Sequence, residues 1–336
     1  MRQSVDSPKV HRRPVDVAVV IAAYQAQAYL EPCVESVLTQ SLHSLHVVIV
    51  DDGSTDGTLR IARAIGDRRV SVLTGPNKGP AHARNRGVRE LPAARYVAFL
   101  DADDVWDRDK LEAQTRYLDE HPEVVAVGCR IRYISSAGRP LGTTGELVDD
   151  EAQAAIARGE LLPFPTSSIV VRRDVFCRVN GFDEFLGTQG SEDLDLYARL
   201  ARRGRFACLP TVLGSMRIHP DSFMMRRRRD VNRAARFVRL RLDLRDRGHD
   251  LTWADFLHRY PPTWRERRRD LVERAYRRSA LMVGERHWPR AAAWFGAALL
   301  IDPRYAIARV YRQRWAGEHL PPTHTFTDHA ALRAVK

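Results

Sequence analysis

Four short apolar runs organise the first hundred residues: Val17–Tyr24, His46–Val50, Arg69–Leu73 and Arg95–Leu100. Each is near-continuous in its hydrophobicity, the signature of a parallel strand covered on both faces. Between them lie segments of helical spacing, with Leu30, Val34, Val37 and Leu38 on one and Leu59, Ala62 and Ile65 on the next. Strands that alternate with helices of about ten residues build right-handed βαβ units, and hence a parallel sheet. In such sheets the ligand crevice lies at the carboxyl ends of the strands.

Those ends are acidic. The second run stops at Asp51-Asp52-Gly53-Ser54, and the fourth at Asp101-Ala102-Asp103-Asp104. Three carboxylates gathered at one strand end repel one another unless a cation joins them. A hard, oxygen-liganded divalent ion such as Mg or Mn fits, and it would in turn attract a diphosphate. Asp is also common at helix N-termini, so a capping loop accounts for part of the pattern. An Asp at the end of the second strand of a nucleotide-binding fold commonly reads a base or ribose.

Further along, the spacing predicts a helix over 107–120, a strand over 124–134, a Gly-rich turn and a polar helix. The alternation resumes with a strand at Ser167–Val171, a loop at Asn180–Glu184, a helix from near Glu192 and a strand at Phe206–Met216. Beyond residue 221 the pattern is helical and Arg-rich, with helices expected over 231–247, 253–260, 271–286 and 289–301. The last two resemble a single tetratricopeptide-type hairpin, too little for a repeat array. The expected division is a disordered lead-in over 1–14, a nucleotide-binding α/β domain over 15–222 and a basic helical region over 223–336.

Charge follows the same division. Residues 221–336 hold 26 Lys+Arg against 13 Asp+Glu, while residues 1–220 hold 28 against 29. A basic region of this kind suits nucleic acid, an anionic membrane surface or an acidic partner. Its arginines are interleaved with Trp253, Trp264, Trp288 and Trp294. The plain reading is a solvated helical face over an aromatic core; the functional one is a peripheral dock on anionic membrane. The longest apolar run, Ala291–Ile301, falls short of the roughly 20 residues that span a bilayer, and the N-terminus carries no signal-like apolar segment. A cytoplasmic protein, peripheral to the membrane if attached at all, is expected. Four scattered cysteines without a Cys-x-x-Cys pair read as buried free thiols.

Seven segments in order resemble glycosyltransferase family 2, the inverting sugar-nucleotide transferases of GT-A fold. They are the first strand, Val50-Asp-Asp-Gly-Ser-Thr-Asp56, Asn77-Lys-Gly-Pro-Ala-His-Ala-Arg-Asn-Arg-Gly87, Phe99–Asp104, Asn180-Gly-Phe-Asp183, Ser191-Glu-Asp193 and Arg217-Ile-His-Pro-Asp-Ser222. The resemblance covers about two thirds of the chain. It implies that Ala22 and Tyr24 line the base pocket and that Asp52 accepts from a uracil or thymine imide N–H. Arg84 would face the nucleotide or its diphosphate. Asp101 and Asp103 form the D-x-D element, with Asp104 an equal candidate metal ligand and His219 a further metal ligand or diphosphate contact. Paired carboxylates at Glu192-Asp193 supply the base, assigned to Asp193. The implied partners are a UDP- or dTDP-sugar donor and a saccharide, lipid-linked or other hydroxyl acceptor. One departure is Ala22-Ala23-Tyr24-Gln25 in place of the more frequent Pro-Thr-Tyr-Asn, which removes a side-chain hydrogen bond to the base.

Two other classes compete. A sugar-phosphate nucleotidyltransferase would carry a Gly-rich, Lys/Arg-containing loop directly after the first strand, where Ala23-Tyr24-Gln25-Ala26 stands. A nucleic-acid-binding protein would want a basic aromatic platform in the main domain, whose charges nearly cancel; no nucleic acid is expected.

Overall fold

The computed structural model describes residues 15–91, 93–145, 147–219, 228–284 and 287–307. The expected lead-in over 1–14 and the expected boundary at 222/223 lie outside these residues.

One nine-stranded sheet organises the molecule. Its order is β3-β2-β1-β4-β8-β6-β9-β5, with β7 on the far side of β6. The first half is the parallel unit expected from the sequence: β1 (Val15–Ala23), β2 (Leu45–Asp51), β3 (Val70–Thr74) and β4 (Ala94–Asp101). The second half is mixed. There β8 (Val170–Arg172) runs antiparallel to both β4 and β6 (Val124–Ser135), whereas β9 (Arg205–Ile218) runs parallel to β6 and antiparallel to β5 (Val105–Trp106). The short β7 (Pro140–Thr144) closes a hairpin on β6.

Strand alternation sorts β1 into two cores. Val17, Val19 and Ile21 face helices α1 (Leu30–Leu38) and α4 (Lys110–Glu120), whose Leu30, Val34, Val37, Leu111 and Leu118 join the same cluster. Ala18 and Val20 face the opposite side. There they share a cluster with α3 (Pro80–Glu90), α6 (Arg173–Arg178) and α8 (Glu192–Ala201), through Ala81, Val88, Phe176, Leu194 and Leu196. Smaller helices α2 (Thr58–Ala64), α5 (Asp150–Ala157) and α7 (Glu184–Gln189) fill the connections. The four cysteines are free thiols; Cys177 is exposed rather than buried, because α6 turns it outward.

The basic region is helical as expected: α9 (Arg228–Asp246), α10 (Trp253–Arg259), α11 (Trp264–Gly284) and α12 (Trp288–Ile301). Its first two helices belong to the main core, where Ala234, Phe237, Val238, Leu242 and Phe256 are buried with Leu194 and Tyr197. Polar contacts fix α9 on α8. Arg241 bonds the buried Asp195 and lies 3.1 Å from Asp183 Oδ2, and Ser191 Oγ donates to the Val231 carbonyl at 3.0 Å. Helices α11 and α12 form a separate hairpin around Val272, Ala275, Tyr276 and Ala298.

Removing one partner of a buried ion pair leaves a desolvated charge behind. Asp195 keeps a second partner in Arg199, 2.6 Å away, so Arg241→Met should lower stability by about 2 kcal/mol, and the melting temperature by roughly 4–8 °C. An unchanged melting temperature would show that the bridge between α9 and α8 contributes nothing.

Candidate active site

The carboxyl ends of β1, β2 and β4 finish level. Ala22 stands opposite Val50 on one side and Asp101 on the other, and Ala23 opposite Asp51. Both acidic turns thus share one edge of the sheet, as the strand pattern predicted. Tyr24, just past β1, is exposed, and Ala22 is half-buried. The next residue, Gln25, adopts φ +52 and ties this end to the β2 turn. Its side chain donates to Thr55 Oγ1 at 2.7 Å and accepts from Asp56 N at 3.2 Å.

Asp52 is engaged by its own chain. Its two carboxylate oxygens accept the backbone N–H groups of Lys78 at 2.9 Å and Gly79 at 2.8 Å. It thereby anchors the loop that opens α3. Gly53 permits the close approach: its φ is +77, and a Cβ there would stand 2.8 Å from Asn77 N. Each carboxylate oxygen can accept more than one donor, so a base contact is compatible with this anchoring role.

Arg84, on α3, is buried between two carboxylates. One terminal nitrogen donates to Asp101 Oδ1 at 2.6 Å and the other to Glu192 Oε1 at 2.8 Å. Burial opposes its charge, but Asp101 and Glu192 outweigh that cost and hold its pKa above the ordinary value. The guanidinium also lies 5.3 Å from the Phe182 ring. Phe182 is itself clamped by Asn85, which donates to its carbonyl and accepts from its N–H, both at 2.9 Å.

The three acids after β4 have different surroundings. Asp101 pairs with Arg84, and its N–H donates to Ser167 Oγ at 3.2 Å. Asp104 is buried, and its Oδ1 accepts the Arg217 N–H at 2.8 Å. Burial first, then the charges of Asp103 and Asp101, push its carboxyl well above the usual range. Asp103 is half-buried, with its Oδ2 3.0 Å from His219 Nε2. Of the four residues expected to hold a metal, Asp104 is buried and bonded by Arg217, Asp101 pairs with Arg84 but keeps its side chain 40% exposed, and Asp103 and His219 pair with each other. Among the described residues, no group of three or more His, Cys, Asp or Glu side chains is arranged to hold a metal ion. A two-donor seat completed by phosphate oxygens and water is the usual form of an Mg site at a nucleotide.

Glu192 and Asp193 separate in the same way. Glu192 is spent on Arg84, and burial raises its pKa against the pull of that guanidinium. Asp193, half-buried at the first turn of α8, accepts the Leu194 N–H at 2.7 Å. Its pKa is pushed up to about 7, by loss of solvent above all and by the Glu192 charge second. A carboxyl with that value can take up a proton near neutrality.

Several participants were not singled out from the sequence: Ser167, Asn85, Asp195 and Arg241. Asn85 lies inside the Asn77–Gly87 segment, whereas Ser167 was read only as the first residue of a strand. Asp195 and Arg241 carry no local signal, because their pairing spans 46 positions.

Comparison with known proteins bears on the family and the fold. The family model described as glycosyl transferase family 2 matches residues 18–179. A putative teichuronic acid biosynthesis glycosyltransferase, TuaG of Bacillus subtilis, is 45% identical over 107 residues, covering 31% of this chain and 42% of that one. Chondroitin synthase of Escherichia coli is 29% identical over 229 residues, 66% of this chain and 31% of the other. The chain therefore spans less than half the length of either relative. Among solved structures, S. aureus TarS 1-349 in complex with UDP-GlcNAc superposes with a TM-score of 0.54 at 18% identity, over 89% of this chain and 92% of that one. The shared fold is the GT-A arrangement of a curled α/β sheet. Residues 18–179 thus carry the sequence pattern of glycosyltransferase family 2.

Proposed function

We propose that this protein transfers a sugar from a nucleoside-diphosphate donor of the UDP or dTDP type to an acceptor hydroxyl, with inversion, in the synthesis of a cell-surface polysaccharide or glycoconjugate. The observation that carries the reading is the Arg84 bridge. It joins Asp101, at the acidic strand end, to Glu192, beside Asp193, which supports reading a diphosphate subsite and a proton acceptor in one crevice. Relatives named for teichuronic acid and chondroitin synthesis support the polymer context.

In this reading the base stacks near Ala22 and Tyr24, and Asp52 accepts its imide N–H while continuing to hold the loop. A divalent ion, Mg or Mn, held by Asp103 and His219, would supply Lewis-acid stabilisation of the leaving diphosphate. Asp193 takes the proton of the acceptor hydroxyl as that oxygen bonds to the anomeric carbon. The bond from that carbon to the diphosphate oxygen breaks on the opposite face, and its electron pair leaves with the nucleotide. Glu192 keeps Arg84 in place and is a positioning residue.

The pH dependence follows from Asp193. Below its pKa of about 7 the carboxyl holds a proton and is no base, so kcat should rise with pH and level off above about 7. Asp193→Asn should cut kcat by roughly 10²–10⁴-fold without lowering the melting temperature. A wild-type profile flat through pH 7, or full activity in the variant, would remove Asp193 from the reaction.

Ligands that bind the native state raise the melting temperature by mass action. A panel of UDP- and dTDP-sugars with and without Mn should give a metal-dependent rise with the true donor, and Asp103→Ala should lose it. Transfer undiminished in EDTA would contradict the metal seat.

A further inference from the structure

Helix α12 is apolar around nearly its whole circumference, with Arg290 its one charged residue. A helix of that composition is ordinarily buried on all sides. Among the described residues only one side is covered. Ala291 and Ala298 are buried, and Trp294, Phe295 and Ile301 pack with Val272, Ala275 and Tyr276 of α11. Pro289, Ala292, Ala293 and Leu300 are exposed on the other side, Leu300 at 90%. Ala293 and Leu300 are seven residues apart, two helical turns, and so share one stripe.

The rim of this stripe has its own chemistry. Trp264, 69% exposed, stands at the Leu300 end: Arg268 donates to the Ile301 carbonyl at 2.9 Å while its guanidinium lies 5.4 Å from the Trp264 ring. Trp288, 61% exposed, marks the other end. Arg265, Arg267, Arg269 and Arg278 of α11, Arg290 of α12 and Arg304 just after it are exposed. Residues 264–307 hold ten arginines against five acidic residues. Three of those acids are engaged within the protein: Asp270 with Asn232, Glu273 with Arg277 and Asp302 with Arg268.

We propose that the α11–α12 hairpin docks on the surface of an anionic lipid bilayer, with α12 lying in the interface plane. The apolar stripe suits the acyl boundary, indoles at both ends suit the headgroup level, and the arginine rim complements anionic lipid. No helix among the described residues is long and apolar enough to cross a membrane, which leaves an in-plane pose for this face. A polyanion such as nucleic acid would use the rim but not the stripe. This inference is independent of the transfer chemistry.

The test is co-sedimentation of the full chain with vesicles of phosphatidylcholine alone or mixed equally with phosphatidylglycerol. The protein should sediment with the mixed vesicles and stay in solution with phosphatidylcholine alone. Arg265→Gln with Arg267→Gln should weaken binding roughly tenfold or more at low salt, and raised salt should weaken the wild type likewise. Leu300→Asn should weaken it severalfold at either salt. Since these side chains are exposed, all variants should keep the wild-type melting temperature. Absence of binding, equal binding to both vesicle types, or a Leu300→Asn variant that binds as the wild type does would overturn the proposal. So would a concentration-dependent dimer that Leu300→Asn breaks, because a second copy would then be what covers the stripe.

Discussion

A single buried guanidinium holds the site together. Arg84 is desolvated, which is costly, and it persists because Asp101 and Glu192 each accept from one of its terminal nitrogens. Its position has a traceable origin. The β2 turn carries Asp52, Asp52 binds the N–H groups of Lys78 and Gly79, and that loop starts the helix on which Arg84 is presented. An acidic strand end thus fixes a loop, the loop fixes a helix, and the helix joins two acidic elements that lie 91 positions apart in the chain.

The same arrangement divides labour among residues of one type. Asp52, Asp101, Asp104 and Glu192 are bound by the protein's own donors. Asp103 remains half-buried beside His219, and Asp193 holds a carboxyl whose pKa lies near neutrality. Six acids in one crevice would otherwise repel; the chain's own donors hold four of them.

Much of this was legible in the sequence because the signals are local. Continuous apolar runs located β1 to β4, and acids after β2 and β4 located the crevice. Reading failed where partners are remote. Ser167–Val171 looked like one strand, but Thr166–Ser168 forms a short 3-10 turn that offers Ser167 to Asp101, leaving β8 to start at Val170. Helix α4 starts at Lys110 rather than 107, because the Asp107 N–H goes to Leu213 of β9. The parallel pairing of β6 with β9 and the Arg241 bridge from α9 to α8 are likewise products of packing that no window of neighbouring residues encodes.

The most direct test of the Arg84 bridge is a double-mutant cycle in transfer rate, using Arg84→Gln, Glu192→Gln and the pair together. If the two side chains act as one unit, each single variant should lose most of the rate and the double variant little more, a coupling of about 1–3 kcal/mol. Losses that simply add would mean that the two residues act independently, and the account of the site built on their bridge would fail.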